Sequence, residues 1–303
     1  MTDKRWRPAR RSRPADGPSD VAAIPPPPGA EIPPPPPPSG SDALWADNDG
    51  LPDQTLELTS VGGESGPGDA LLEVRGLTAG YGSVPVLRGL DFTVRAGETA
   101  VLLGLNGAGK TTTASVLCGK LKPTGGTVMF EGRDASGWNV RQAVQNGIVM
   151  CPEGRRVFPQ LTVGDNLNVG GWTHRDDPDW LQARREAVYD YFPRLRERAD
   201  QMAGTLSGGE QQMCAIGRSL MAKPKLLIID EASLGLAPVI VNDVFEIVRQ
   251  INADGTTVIL IEQNIGALAV ATQGLIMEQG HIVQQVQGEE LADPENVRKV
   301  FLG

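Results

Sequence analysis

Residues Gly104 to Thr112 read Gly-Leu-Asn-Gly-Ala-Gly-Lys-Thr-Thr and satisfy the spacing G-x-x-x-x-G-K-[ST]. They follow an apolar run, Thr99 to Leu103, and precede a segment of helical character. The order strand, glycine-rich loop, helix restricts the possible folds severely. Glycines let the backbone curl until successive N–H groups point inward, and the following helix adds the positive end of its dipole. The result is a cradle for phosphate oxygens. The motif assigns Gly104, Asn106, Gly107, Ala108, Gly109, Lys110, Thr111 and Thr112 to phosphate binding. By the usual roles, Lys110 spans the β- and γ-phosphates of a nucleotide and Thr111 gives its hydroxyl to Mg2+. A glycine-rich turn that holds nothing is the bland alternative, and it leaves the strand, the full motif and the helix as coincidence.

Such a cradle needs a carboxylate on a neighbouring strand. Leu226-Leu-Ile-Ile-Asp230-Glu231 supplies two at the carboxyl end of an apolar run. Asp230 is expected in the Mg2+ shell and Glu231 as the general base that polarises the attacking water. Alone, an apolar run ending in Asp-Glu is a common strand terminus. Its weight comes from the cradle upstream.

The rest of the chain divides by composition. Residues 1 to 70 hold 15 of the 24 prolines, including Pro25 to Pro28 and Pro33 to Pro38, with much Ser, Gly, Ala and Asp. Such a segment cannot bury enough apolar area to offset its ordering entropy, so a disordered tail is expected there. Its basic start, Lys4 to Arg13, has no apolar stretch behind it and so does not make an export signal. Polyproline docking, or contact of the basic start with anionic lipid, is the functional alternative to a plain solvated tail. From Leu71 the texture changes to short apolar or β-branched runs between glycine turns. Strands are expected at 71–77, 91–94, 99–103, 127–130, 147–150, 226–230, 257–261, 275–278 and 281–286. Continuous runs such as LLIID and TVILI indicate strands buried on both faces, hence a parallel sheet covered by helices. Between Asp165 and Met221 the pattern is helical and charged, and a separate helical subdomain is expected at about 152–221.

Composition also excludes functions. The 303 residues carry a formal charge of -9, with 6 basic and 11 acidic side chains up to residue 70 and 22 and 26 beyond it. A groove for nucleic acid needs Lys and Arg in clustered excess, so no nucleic-acid partner is expected. No apolar run reaches the roughly 18 to 20 residues of a membrane span, so work at a membrane has to go through partners. Cys118, Cys151 and Cys214 are scattered and odd in number, which fits core packing in a reducing compartment rather than a disulfide framework. His174 and His281 lie in a polar loop and a hairpin turn, respectively, and neither is expected to ligate metal.

Between cradle and carboxylates stands Leu206-Ser207-Gly208-Gly209-Glu210-Gln211-Gln212. A Ser-Gly-Gly run opening a helix makes a second anion-binding N-terminus, with Ser207 as cap and two glycines allowing close backbone approach. A purely structural cap is the alternative. Here the chain resembles the ABC ATPase family, whose signature is LSGGQ. The resemblance covers residues 71 to 303 and implies that Ser207, Gly208 and Gly209 hold the γ-phosphate of ATP bound to an opposing subunit. It also implies that Tyr81 stacks on adenine, although a lone tyrosine could equally be core. Glu153 takes the place of the glutamine that senses Mg2+ and the γ-phosphate, in a segment that faces membrane subunits in relatives. Gln263 stands where most of the family carries a switch histidine. Ser233-Leu-Gly-Leu lacks the usual aspartate, and Ala232 replaces the commoner proline.

Several departures together fit one subgroup. The strings CPEGRRVFPQLTV, LSGGEQQMCAIGRSLM, SLGLAP and IEQN are similar to LivF-type ATP-binding subunits of branched-chain amino acid importers. The resemblance therefore implies an α/β P-loop NTPase core with an antiparallel β layer and a helical signature subdomain. It implies ATP hydrolysis with ATP and Mg2+, at the cytoplasmic face of the membrane. Head-to-tail pairing with a LivG-type ATPase or with itself is implied, as are two permease subunits and, indirectly, an extracytoplasmic solute-binding protein. An importer of urea or amides is the neighbouring alternative; relatives of that branch more often carry Pro-Gln-Gly where Pro152-Glu153-Gly154 stands. Translation or DNA-repair ATPases are the rival class. They carry two cassettes or long coiled-coil insertions, and only 97 positions separate Lys110 from Ser207. An ATP-binding regulator without turnover stays open because the switch histidine is missing.

Overall fold

The computed structural model describes residues 70–288 and residue 291. Residues 1–69 of the expected proline-rich tail lie outside the described residues, and its last residue, Ala70, already opens a strand. From Ala70 onward the chain builds two sheets.

The smaller sheet is antiparallel. Strand β1 (Ala70–Tyr81) pairs with β2 (Val84–Arg95) on one side and with β4 (Gly125–Phe130) on the other, and the short β5 (Arg133–Asp134) pairs antiparallel with β4 at the edge. Alternation sets its faces, because Leu72, Val74, Leu90, Val94, Val128 and Phe130 point to one side and are buried. The expected strand stops at residue 77, but β1 runs on through Tyr81 and turns at Gly82, whose φ of 59° suits glycine. Gly80 and Gly82 break the alternation of residues 78–83 and hide this extension from a periodicity argument.

The larger sheet has the order β10-β9-β3-β8-β7-β6. Strands β3 (Thr99–Leu103), β6 (Ile148–Cys151), β7 (Leu226–Asp230), β8 (Thr257–Glu262) and β9 (Gln273–Glu278) are parallel, and β10 (His281–Gln287) returns antiparallel to β9. Every residue of β3, β7 and β8 is buried, which is why these strands read as unbroken apolar runs. The two faces differ in cover. Val101, Leu103, Leu227, Ile229, Val258 and Leu260 pack with helices α6 (Gly208–Leu220) and α7 (Pro238–Ala253). Ala100, Leu102, Ile228, Ile259 and Ile261 pack with α1 (Lys110–Leu117), α2 (Val140–Asn146) and the antiparallel sheet. Helices thus cover one face completely, and the second sheet shares the other. Each fully buried Leu or Ile contributes about 1.5 to 3 kcal/mol of apolar burial, so these two clusters fix the sheet.

The expected helical block contains α3 (Val163–Gly170), α4 (Pro178–Tyr191), α5 (Pro193–Glu197) and α6, with one isolated β-bridge between Thr162 and Met202. Side-chain caps start three of them: Thr162 accepts from the Asp165 N–H, Asp177 from that of Trp180, and Ser207 from that of Glu210. Asn166 is fully buried and ties the preceding loop to α3. Its Oδ1 accepts from the Phe158 N–H at 2.8 Å, and its Nδ2 donates to the carbonyls of Phe158 and Thr162 at 3.0 and 2.9 Å. No helix among the described residues is long and apolar enough to cross a membrane.

Candidate nucleotide site

Strand β3 ends at Leu103, and the chain curls back before entering α1. Two glycines make that curl possible. A Cβ on Gly104 would lie 2.3 Å from the carbonyl oxygen of Met277, and Gly109, with a φ of 107°, packs against the Met277 methyl and Leu87. Gly107 also has a positive φ, 82°, with open space beside it. Side chains at Gly104 and Gly109 would collide with β9 and β2, so only glycine lets the backbone take the curl that cradles a polyanion. Lys110 opens α1 and is buried. Its ammonium donates to the Gly104 and Leu105 carbonyls at 2.8 and 3.2 Å, so the charge is held over the curl of the loop.

Strand β7 runs between β6 and β8 and delivers Asp230 and Glu231 beside this loop. Asp230 is buried. Its Oδ1 accepts from the Thr111 hydroxyl at 3.5 Å, and its Oδ2 has no hydrogen-bond partner. Burial, the largest influence, and the charges of Glu231 and Glu153 push the carboxyl up to about 6, while Thr111 and Lys110 pull it down. An oxygen pair of this kind, one atom orphaned and the other on a hydroxyl, fits a hard divalent cation.

Glu231 leaves the strand with a φ of 48°, a left-handed backbone that a non-glycine residue adopts only where its surroundings enforce it. Its N–H donates to the Ile261 carbonyl at 2.9 Å. Its Oε1 lies 3.5 Å from the Lys110 ammonium and accepts from Gln263 Nε2 at 2.8 Å. The same Gln263 nitrogen donates to Asn106 Oδ1 at 2.9 Å. One amide thus joins the loop after β3, the end of β7 and the end of β8. Glu231 also opens onto a cavity of about 300 Å3 that it lines with Gly154, Arg155, Gln211, Gln212 and Leu234.

The expected site residues therefore fall into groups. Asn106, Lys110, Thr111, Asp230, Glu231 and Gln263 are joined by direct contacts. Ser207 stands apart as the N-cap of α6. It forms a capping box in which Glu210 Oε2 accepts from the Ser207 N–H and hydroxyl at 2.9 and 2.7 Å. Gly208 and Gly209 follow in the first turn, close under Arg155 and Ile240, respectively. Tyr81 is 55% exposed at the tip of the antiparallel sheet, free to offer its ring face. Glu153 is exposed after β6, and its carbonyl accepts from Arg156 Nε at 3.1 Å.

Two contacting residues escaped the motif reading. Glu262 ends β8, buried, and its carboxylate accepts from the Ser233 N–H and hydroxyl. Burial raises its pKa, and the Ser233 contacts oppose that rise. The available signal was a charged residue closing an otherwise apolar strand.

The sequence profile of the family described as ABC transporter matches residues 87–234. The chain is 45% identical over 225 residues to the high-affinity branched-chain amino acid transport ATP-binding protein BraG of Pseudomonas aeruginosa, covering 74% of this chain and 95% of that one. It is 31% identical over 237 residues to the lipopolysaccharide export system ATP-binding protein LptB of Escherichia coli, covering 77% and 98%. Among solved structures, an ATP-binding cassette of an ABC transporter in its ADP conformation superposes with a TM-score of 0.68 at 28% identity, over 77% of this chain and 99% of that one. A phosphate cradle, an adjacent carboxylate pair and a capped Ser-Gly-Gly helix, on a fold shared over nearly the whole length of these relatives, identify the chain as a member of the ABC transporter family, an ATP-binding and ATP-hydrolysing cassette of the LivF and BraG type.

Proposed function

We propose that this cassette powers import of branched-chain amino acids through separate membrane subunits, with Glu231 as the base of ATP hydrolysis. The convergence of the Lys110 ammonium and the Gln263 amide on Glu231 Oε1, at 3.5 and 2.8 Å, carries the catalytic part. The loop from Gly104 to Thr112 binds the β- and γ-phosphates by backbone N–H groups and Lys110. Thr111 and Asp230 would hold Mg2+, which would supply positive charge against the phosphate oxygens. Glu231 takes a proton from water as its oxygen attacks the γ-phosphorus; the bond to the β-γ bridging oxygen breaks, leaving ADP and inorganic phosphate. Gln263 orients Glu231 as a neutral donor. Tyr81 packs on the adenine, and Glu153 lies where the γ-phosphate end of the site meets the loop tied down by Asn166.

Ser207, Gly208 and Gly209 face the γ-phosphate of a second cassette, either a LivG-type ATPase or another copy of this chain. Differential contact with ATP over ADP closes the pair, and hydrolysis reopens it. Two permeases receive that motion at the cytoplasmic face of the membrane, with an extracytoplasmic binding protein supplying solute. The segment 71–303 is the working unit and 1–70 an appendage. The cargo assignment rests on the 45% identity to BraG against 31% to LptB. A strain lacking this chain is expected to lose high-affinity uptake of leucine, isoleucine or valine and to keep urea uptake. Loss of urea uptake alone, or a lipopolysaccharide export defect, overturns the cargo.

A further inference from the structure

Glu262 and Ser233 make a contact beside the reacting groups that none of the motif roles uses. Glu262 is 1% exposed at the end of β8. One carboxylate oxygen accepts from the Ser233 N–H at 3.0 Å and the other from the Ser233 hydroxyl at 2.5 Å. The next residue, Gln263, reaches Glu231 at 2.8 Å. The last residue of β8 and the residue after it therefore grip the chain on both sides of Ala232, itself fully buried. This stretch needs an external hold, since Glu231 sits at a φ of 48°. Burying a carboxylate is costly, whereas charge-assisted bonds to a backbone N–H and a hydroxyl are short, strong and directional.

We propose that Glu262 is a positioning residue for ATP hydrolysis: its carboxylate clamps Ser233 and thereby fixes the turn that aims Glu231 at the attacking water. This rests on the assignment of Glu231 as base. The clamp makes no hydrogen bond to the phosphate loop, so its loss acts on the chemical step rather than on ATP binding.

The test is steady-state ATP hydrolysis and fluorescent-nucleotide binding by the full-length chain. Misplacing a catalytic group by about 1 Å costs on the order of 10²-fold, so Glu262→Ala is expected to lower kcat by about 10- to 100-fold, with KM and nucleotide affinity within a few-fold. In Glu262→Gln the amide oxygen accepts from the Ser233 N–H while its NH2 donates to the Ser233 oxygen, so kcat recovers most of the loss. Ser233→Ala falls in kcat by less than Glu262→Ala. The double variant is no slower than Glu262→Ala, because both changes remove one interaction. A Gln variant as slow as Ala, losses that add in the double variant, or a rise in KM matching the fall in kcat overturns the clamp. Should Glu262→Ala not fold, Ser233→Ala decides: parental kcat contradicts the proposal. Parental turnover in Glu231→Gln refutes the base assignment itself. An inactive Glu231→Gln beside a fully active Glu262→Ala refutes the clamp alone.

Discussion

Asp230 shows how the site trades stability for binding capacity. Its carboxyl is raised from 3.8 to about 6, chiefly by burial, so the folded chain holds the proton more tightly than the unfolded chain does. Ionised Asp230 therefore opposes folding above about pH 6, and the effect disappears below about pH 4, where both states are protonated. At one pKa unit per 1.36 kcal/mol, the opposition is on the order of 2 to 3 kcal/mol at neutral pH. Asp230→Asn is accordingly expected to raise the melting temperature of the nucleotide-free protein at pH 8, and to shrink the difference from the parent as pH falls to 5. The same variant should lose the Mg2+-dependent rise in melting temperature that ATP gives. Thermal unfolding at three pH values checks both. At this scale the sequence displayed the proposed reacting groups, because Lys110, Thr111, Asp230 and Glu231 sit inside short motifs. It pointed to Gln263 by position but did not display the contacts that hold these groups. Gln263 meets Asn106 across 157 positions, and Glu262 meets Ser233 across 29, distances at which no local pattern operates.

Between elements, backbone approach decides what is tolerated. Helices α3 and α6 cross so closely that a Cβ on Gly170 would lie 1.9 Å from the Arg218 carbonyl oxygen. Gly170→Ala must therefore push the helices apart, at about 1 to 3 kcal/mol, or a melting temperature lower by roughly 3 to 10 °C. Gly137→Ala is the control, since no atom lies within 4 Å of its Cβ position and its φ is not positive. It should be neutral within about 0.5 kcal/mol, and equal losses in the two variants would contradict the packing account. Fully buried strands were legible as apolar runs, and β3, β7 and β8 fall where expected to within a residue. The long β1–β2 hairpin was not, because Gly80, Gly82, Pro85 and Gly89 interrupt its outer half and read as turn residues. The contact through Gly170 was equally hidden, since a single glycine in a helical pattern gives no sign of what crosses it.

The fold as a whole buries all three cysteines. All three thiols are free and buried; burial pushes Cys151 up to about 12 and Cys214 up to about 11, and raises Cys118 as well. The folded protein should be silent toward a thiol reagent at pH 8 and yield three reactive thiols on denaturation. Deleting residues 1 to 66 should leave melting temperature and nucleotide affinity nearly unchanged, because that composition offers too little apolar surface to pack on anything. A fall of several degrees would contradict it. Composition and motif order were enough to give the layered α/β plan, whereas the cover of the second sheet face came from pairings between distant strands. The central claim, that Glu231 activates water on a nucleotide held by Lys110, is tested most directly by ATP turnover in the full-length Glu231→Gln chain. The substitution keeps volume and one carbonyl oxygen but removes the basic site, so turnover should fall by about 10²- to 10⁴-fold while apparent ATP affinity stays within a few-fold. The variant should also accumulate as an ATP-bound dimer on gel filtration, alone or with its partner ATPase, and Lys110→Ala should give neither tight ATP binding nor the dimer. Hydrolysis at the parental rate in Glu231→Gln would contradict the account.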